Sequence, residues 1–368
     1  MSLEKINKIR SHKKFGKVDT ILLTKPENIT YILGFSIESD TYIMIPREHI
    51  SDRIWVFLNA LEYDQAKKNI DKDKDLSKSV EIKQIPIGKP KFVEKSIKEL
   101  NLKSIGFEDD YISVKKYNEL KQMSIPNFIG ISEIINHARI IKTKKEIERM
   151  QKAAELGDIG FKTIIKVIEE GKTEKELAAE AEYMMRKSGS DGISFNTIVA
   201  SGEHSAYPHA KTSDKKIEVG DMIIIDIGAK YNGYCSDMTR TFIFGKNKSK
   251  EKENLINFVN EGQQYALDNI KAGVMCKDID KITRDFFRKK DKKLSSRFIH
   301  SLGHGIGINI HEEPYLNSIS EHILKEDMVV TVEPGLYLPG LGGARTEDQI
   351  VIKSEGFKAL THSKKYYY

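Results

Sequence analysis

The chain has 368 residues, 39% hydrophobic and 31% charged, which is long enough for two domains with cores of their own. Its net charge of +6 is small against 60 basic and 54 acidic side chains that interleave along the sequence, so no nucleic-acid partner is expected. The N-terminal MSLEKINKIRSHKKFGK lacks the apolar core of a signal peptide, no stretch approaches the roughly 18 apolar residues of a membrane span, and two cysteines make no disulfide framework, so a cytoplasmic protein without a membrane partner is expected.

Residues 1–128 alternate strand and helix signals and read as an α/β domain. DTILLTKPENITYILGF (19–35), TYIMIPR (41–47) and RIWVFLN (53–59) read as strands. LEYDQAKKNI (61–70) and KFVEKSIKEL (91–100) read as short helices, and DKDKDLSKS (71–79) as a polar loop. NLKSIGFED (101–109) and SIPNFIGIS (124–132) add strand material. No glycine-rich phosphate loop follows any of these strands.

Residues 129–368 read as a second, α+β domain. A long amphipathic helix occupies residues 142–170 and ends at Gly171, and a second helix follows from Thr173, which forms a capping box with Glu176. Strands dominate to residue 244. Helical patterns return over 247–273 and 278–291, and strands close the chain. Helix pair and strand region thus occur twice, without a convincing sequence repeat.

Both strand regions carry carboxylates where apolar residues are expected. GDMIIIDIGAKYNGYCSDMTRTFIFG (220–245) reads as a hairpin with a strong turn signal at Asn232-Gly233. Centred between Tyr231 and Asn232, it sets Asp226 opposite Asp237. MVVTVEPGLYLPGLGGARTEDQIVI (328–352) reads as a second hairpin; centred on Gly340, it sets Glu333 opposite Glu347, with Pro334 removing a ladder donor. Opposed like charges are destabilising, and a shared cation is the simplest compensation. His304, in SLGHGIG, lies between the hairpins in sequence, among glycines that let the backbone approach closely. One Asp in a strand, or one His beside glycines, is ordinarily unremarkable; the set is not. Four carboxylates and one imidazole suit two divalent ions such as Mn²⁺, Co²⁺, Fe²⁺ or Zn²⁺. Cys235 reads as a small buried residue rather than a sulfur ligand.

The order DIGA, YCSDMTRT, GHGIG, HEEP, TVEPGLY, RTEDQI over residues 196–352 resembles the pita-bread metallopeptidases, specifically the aminopeptidase P and prolidase group. NITYILGF (28–35) resembles the amino-terminal, creatinase-type domain of that group, and residues 139–158 its interdomain helix. The resemblance implies a C-terminal pita-bread catalytic domain and metal ligands Asp226, Asp237, His304, Glu333 and Glu347. It implies a water shared by two ions, most simply Mn²⁺, with Glu333 as proton shuttle. It places His209 and His311 at the reaction intermediate and His300 in the substrate pocket. Arg345 shares a strand face with Glu347 and can hold carboxylates in place. Tyr337 is a candidate donor to a carboxylate or to the intermediate. His204 matches no functional position and reads as surface.

The resemblance implies cleavage of Xaa-Pro bonds in short proline-containing peptides by a homodimer. Many prolidases carry an arginine just after this motif; here the position is Tyr315, a candidate substrate contact, and no arginine occurs between His304 and Glu333. An aminopeptidase acting on longer peptides is therefore expected, with the dipeptidase as the alternative. Methionine aminopeptidases share such ligands but usually lack the N-terminal domain. Creatinase shares the plan without the metal set, and the intact ligands argue against a binding protein that has lost catalysis.

Overall fold

The computed structural model of the chain describes residues 2–88, 91–122, 127–246 and 249–368. It divides into two compact units, Met1–Arg139 and Ile140–Tyr368. The helix Ser132–Ile140 is tied to the first unit. Tyr31 donates to the Ala138 carbonyl at 3.0 Å, and Arg139 donates to Asn28 at 2.8 Å.

The first unit is built on a six-stranded mixed sheet in the order Val80–Ile85, Ile54–Asn59, Tyr42–Pro46, Thr20–Leu23, Ser104–Phe107, Asn127–Gly130. Leu22, Met44, Phe57, Ile97 and Ile105 form one of its cores. Two local expectations fail here. Residues Pro26–Leu33 are a helix rather than the continuation of a strand. Pro26 starts that helix and Gly34, at φ 83°, ends it, an asymmetry that favours helix over strand. Buried Glu108 adds to this by accepting from the Thr24 and Lys25 amides at 2.6 and 2.8 Å. Lys74–Ser79 is likewise a helix and not a loop, because Asp73 caps it by accepting from the Asp75 and Leu76 amides. Ser124–Pro126, within the last predicted strand of this unit, and Asn247–Lys248, at the start of a predicted helix, lie outside the described residues.

The second unit repeats one plan. Helices Lys144–Val167 and Glu174–Lys187, each opened by a capping box, precede an antiparallel sheet of Ile198–Ser201, Met222–Ile227 and Met238–Ile243. Helices Lys250–Asn269 and Cys276–Lys290 precede a sheet of Glu312–Leu316, Gly303–Gly305, Val329–Val332, Asp348–Lys353 and Gly356–Ala359. Each sheet buries one face on its own core. Ile223, Ile225 and Ile227 enter one core; Val330, Val332, Ile350 and Ile352 enter the other. Side chains alternate faces along a strand. Asp226, Glu333 and Glu347 therefore point away from those cores. Among the described residues no helix is long and apolar enough to cross a membrane.

Candidate metal centre

Register decides how the carboxylates meet. In the first hairpin Tyr231 pairs with Tyr234 and Asp226 with Thr239. The turn is the two-residue Asn232-Gly233, with φ of 48° and 80°, the positive pair a tight hairpin turn requires. The expected register was one residue short on each strand. Asp237 stands opposite Gly228 in the continued ladder, diagonal to Asp226 on the same face. A Cβ at Gly228 would lie 2.0 Å from the Ser236 carbonyl oxygen, so only glycine allows this approach.

The second hairpin follows its expected register. Val332 pairs with Asp348 and Gly335 with Arg345, which sets Glu333 opposite Glu347 across the break at Pro334. His304 comes from the adjacent strand. The glycines beside it serve the neighbouring strands: a Cβ at Gly303 would sit 2.0 Å from the Thr331 carbonyl oxygen, and one at Gly305 would sit 2.3 Å from that of Glu313.

Asp237, His304 and Glu347 each offer a ligand atom within 4.8 Å of one another. The His304 Nε2 lies 3.2 Å from Glu333 Oε1 and 3.6 Å from Asp237 Oδ2. Its Nδ1 faces the Gly305 carbonyl at 3.0 Å. A carbonyl only accepts, so Nδ1 carries a proton. Nε2 faces carboxylates. Although burial lowers the pKa of His304, its bond to Glu333 and the surrounding negative charge raise it, so without an ion Nε2 is protonated too and donates to Glu333. The Asp226 Oδ1 and Glu347 Oε1 are buried without a hydrogen-bond partner among the described residues.

Charge is badly unbalanced here. Four carboxylates meet one guanidinium, Arg345, leaving −3 if all ionise and His304 is neutral. Burial, then Glu347, Asp226 and Glu333, push Asp237 well above the ordinary carboxylate range. Burial, then Glu333 and Asp226, do the same to Glu347. Burial would also raise Glu333, but the bond and charge of His304 hold it at about 2. Orphaned oxygens, mutual repulsion and an imidazole nitrogen turned inward, free to give up its proton to a metal, are what a divalent cation would satisfy. The donor set fits one.

Arg345 organises this cluster. Its guanidinium donates to Asp226 Oδ2 at 2.6 Å, Tyr337 Oη at 2.6 Å, Thr239 Oγ1 at 3.1 Å and the Pro208 carbonyl at 3.3 Å. Thr239 in turn donates to Glu347 Oε2 at 2.8 Å. The Tyr337 hydroxyl accepts from Arg345, and its own proton faces His300 Nε2 at 3.1 Å. The His300 Nδ1 donates to the Ser301 carbonyl at 2.8 Å. Burial lowers the pKa of His300, which fits this neutral tautomer.

A cavity of about 900 Å³ opens onto the cluster. All the expected site residues line it except Tyr337, which sits behind Arg345. His300 lines it with both ring nitrogens engaged inside the protein. His209 and His311 are exposed on its wall, and the His311 ring stands edge-on to His304 at 4.4 Å between centroids. Burial, then His304, lower the pKa of His311, so it is neutral near pH 7. Tyr315, 41% exposed, pairs across from His304. The Cys235 thiol donates to the Ile308 carbonyl at 3.3 Å, as a buried packing residue.

One organising residue escaped sequence reasoning. Glu174, fully buried at the start of its helix, accepts from the Ser201 amide and hydroxyl at 2.8 and 2.9 Å. It also accepts from the Ser213 amide and hydroxyl at 3.0 and 2.8 Å. It thereby pins both ends of the loop carrying His209. His204, expected at the surface, packs its Nδ1 3.0 Å from the same carboxylate. An acid in a first helical turn normally faces solvent, so no sequence signal marked it.

Residues 148–354 match metallopeptidase family M24, and residues 5–141 match the Creatinase/Prolidase N-terminal domain. The chain belongs to metallopeptidase family M24. Its second unit has the pita-bread fold, behind a creatinase-type first unit. The chain is 37% identical to an Xaa-Pro dipeptidase of Pyrococcus furiosus over 98% of its own length and 99% of that protein. The solved structure of an Xaa-Pro dipeptidase from Bacillus anthracis superposes with a TM-score of 0.91 at 37% identity, covering 100% of this chain and 99% of that one. An X-Pro aminopeptidase from Thermotoga maritima superposes at 0.85 with 35% identity, covering 96% and 98%. Membership of a metallopeptidase family implies divalent metal ions.

Proposed function

We propose that this chain is an Xaa-Pro dipeptidase that works with two divalent ions. The observation that carries the hydrolytic reading is the buried set of four carboxylates and one imidazole at the floor of the cavity. Support for Xaa-Pro dipeptides comes from the relatives named for that activity, which match the chain over almost its whole length. The expectation of an aminopeptidase, drawn from Tyr315 standing where an arginine often is, gives way to them. The second reading keeps one specific support, the similarity to an X-Pro aminopeptidase.

In this proposal Asp226, Asp237, His304, Glu333 and Glu347 hold the ions. Their oxygen-rich set with one nitrogen suits Mn²⁺ first, with Co²⁺, Zn²⁺ or Fe²⁺ as alternatives. When bound, the ions supply Lewis-acid polarisation of a carbonyl and of a water molecule. Glu333, steadied by the Thr331 hydroxyl at 3.2 Å, carries the proton from water to the leaving nitrogen. His311, as a neutral imidazole, and His209 donate from the cavity wall to the developing oxyanion. Arg345 fixes Asp226, and Tyr337 fixes Arg345 and His300. Tyr315, on the strand beside His304, contacts the substrate. A homodimer in the cytoplasm accompanies this reading, and sedimentation tests the first.

The experiment compares Met-Pro with Met-Ala. Mn²⁺-reconstituted protein should hydrolyse Met-Pro, and a chelator should abolish it. Equal hydrolysis of Met-Ala, or activity that survives chelation, would overturn the proposal.

A further inference from the structure

A dipeptidase has to recognise the free carboxylate of its substrate, and Tyr315 brings only a neutral hydroxyl to the site. The cavity wall carries three basic side chains besides its histidines: Lys175, Lys211 and Arg345. Arg345 is buried and bonded to Asp226, Tyr337, Thr239 and Pro208. The Lys175 ammonium pairs with Asp214 at 2.9 Å. Lys211 is exposed, and among the described residues its ammonium has no hydrogen bond or ion pair.

The two residues that follow it, by contrast, are held in place. The next residue, Thr212, donates to the Thr197 carbonyl at 2.7 Å and accepts from the Val199 amide at 2.9 Å. Ser213 beyond it is gripped by buried Glu174 through amide and hydroxyl. His209 lies two residues before Lys211, on the same wall. A segment anchored just beyond it thus presents an exposed, unpaired cation to the cavity, beside a residue assigned to the reacting carbonyl. The proline carboxylate of an Xaa-Pro substrate lies one residue beyond that carbonyl, and Lys211 lines the same cavity two residues beyond His209.

We propose that Lys211 is the specificity residue that receives the free carboxylate of the substrate, in place of the arginine missing at 315. This rests on the dipeptidase reading. An ammonium binds a carboxylate as a point charge and without bidentate geometry, so the discrimination it gives is moderate and falls with salt.

The test compares Ala-Pro with its C-terminal amide, Ala-Pro-NH2, which differs in that one charge. In wild type the ratio of kcat/KM for acid over amide should exceed one by about tenfold, the low end for a hydrogen bond between charged groups. K211Q should bring the ratio near one, mainly through KM for the acid. K211E should lower it further and K211R should restore it, which separates charge from folding defects. A wild-type ratio well above one that persists in K211Q and K211E leaves the dipeptidase reading standing and overturns the assignment to Lys211. A wild-type ratio near one overturns the dipeptidase reading itself, and the role of Lys211 with it.

Discussion

Arg345 and Asp226 offer the sharpest physical test of how the centre is held together. Their contact is 2.6 Å, with side chains 5% and 13% exposed. Two unit charges about 4 Å apart interact by roughly 4 kcal/mol at an effective dielectric constant near 20. Removing one partner of a buried pair costs about 3–5 kcal/mol, since the other charge is left without compensation. Arg345→Met should therefore destabilise the metal-free protein by about that much, a large part of the roughly 5–15 kcal/mol that holds a typical domain folded. Arg345→Met also loses the bonds to Tyr337, Thr239 and Pro208, but the double variant loses them equally. A cycle with Asp226→Asn isolates the pair, and its coupling should be about 2–3 kcal/mol. The assay is urea unfolding in chelator, so that no ion contributes. Costs that add to within about 0.5 kcal/mol would refute the claim that Arg345 acts by compensating Asp226.

Two further outcomes follow from the charges and the cavity. Asp237 is raised in the folded, metal-free state, so that state holds its proton longer than the unfolded chain does; its contribution is neutral below about pH 4 and turns unfavourable as pH rises toward the folded value. In chelator, Asp237→Asn should gain stability over wild type between pH 5 and pH 8 in thermal melts, and added Mn²⁺ should reverse the order; parallel melting curves at both pH values would contradict the shortage of cationic charge. His311→Ala should keep its metal by elemental analysis yet lose about 10²–10³ in kcat, as for an oxyanion donor; loss of metal together with activity would make His311 a ligand.

The sequence disclosed more of the centre than of its supports. Glu333 and Glu347 were legible as an opposed pair because Gly340 marks one turn and the register runs unbroken from Val332–Asp348 to Gly335–Arg345. Asp226 and Asp237 were legible as one face but not as a diagonal, since a one-residue error in a turn moves every pairing. The helix Pro26–Leu33 was hidden by its β-branched and aromatic content, although proline and glycine at its ends were the better guide. Arg345 declared itself by standing two residues from Glu347. Glu174 did not, because its partners Ser201, His204 and Ser213 are 27 to 39 residues away and only the fold brings them to it. The engaged nitrogens of His300 depend in the same way on Tyr337, whose position behind Arg345 no motif conveys.

Hydrolysis of Xaa-Pro dipeptides by this buried carboxylate–imidazole cluster can be measured in one comparison. The most direct measurement is kcat/KM of the Mn²⁺-reconstituted full chain for Ala-Pro and for Ala-Pro-Ala, side by side. Ala-Pro should be cleaved, with the tripeptide a much poorer substrate. Rapid release of alanine from Ala-Pro-Ala, with Ala-Pro left intact, would contradict the dipeptidase reading.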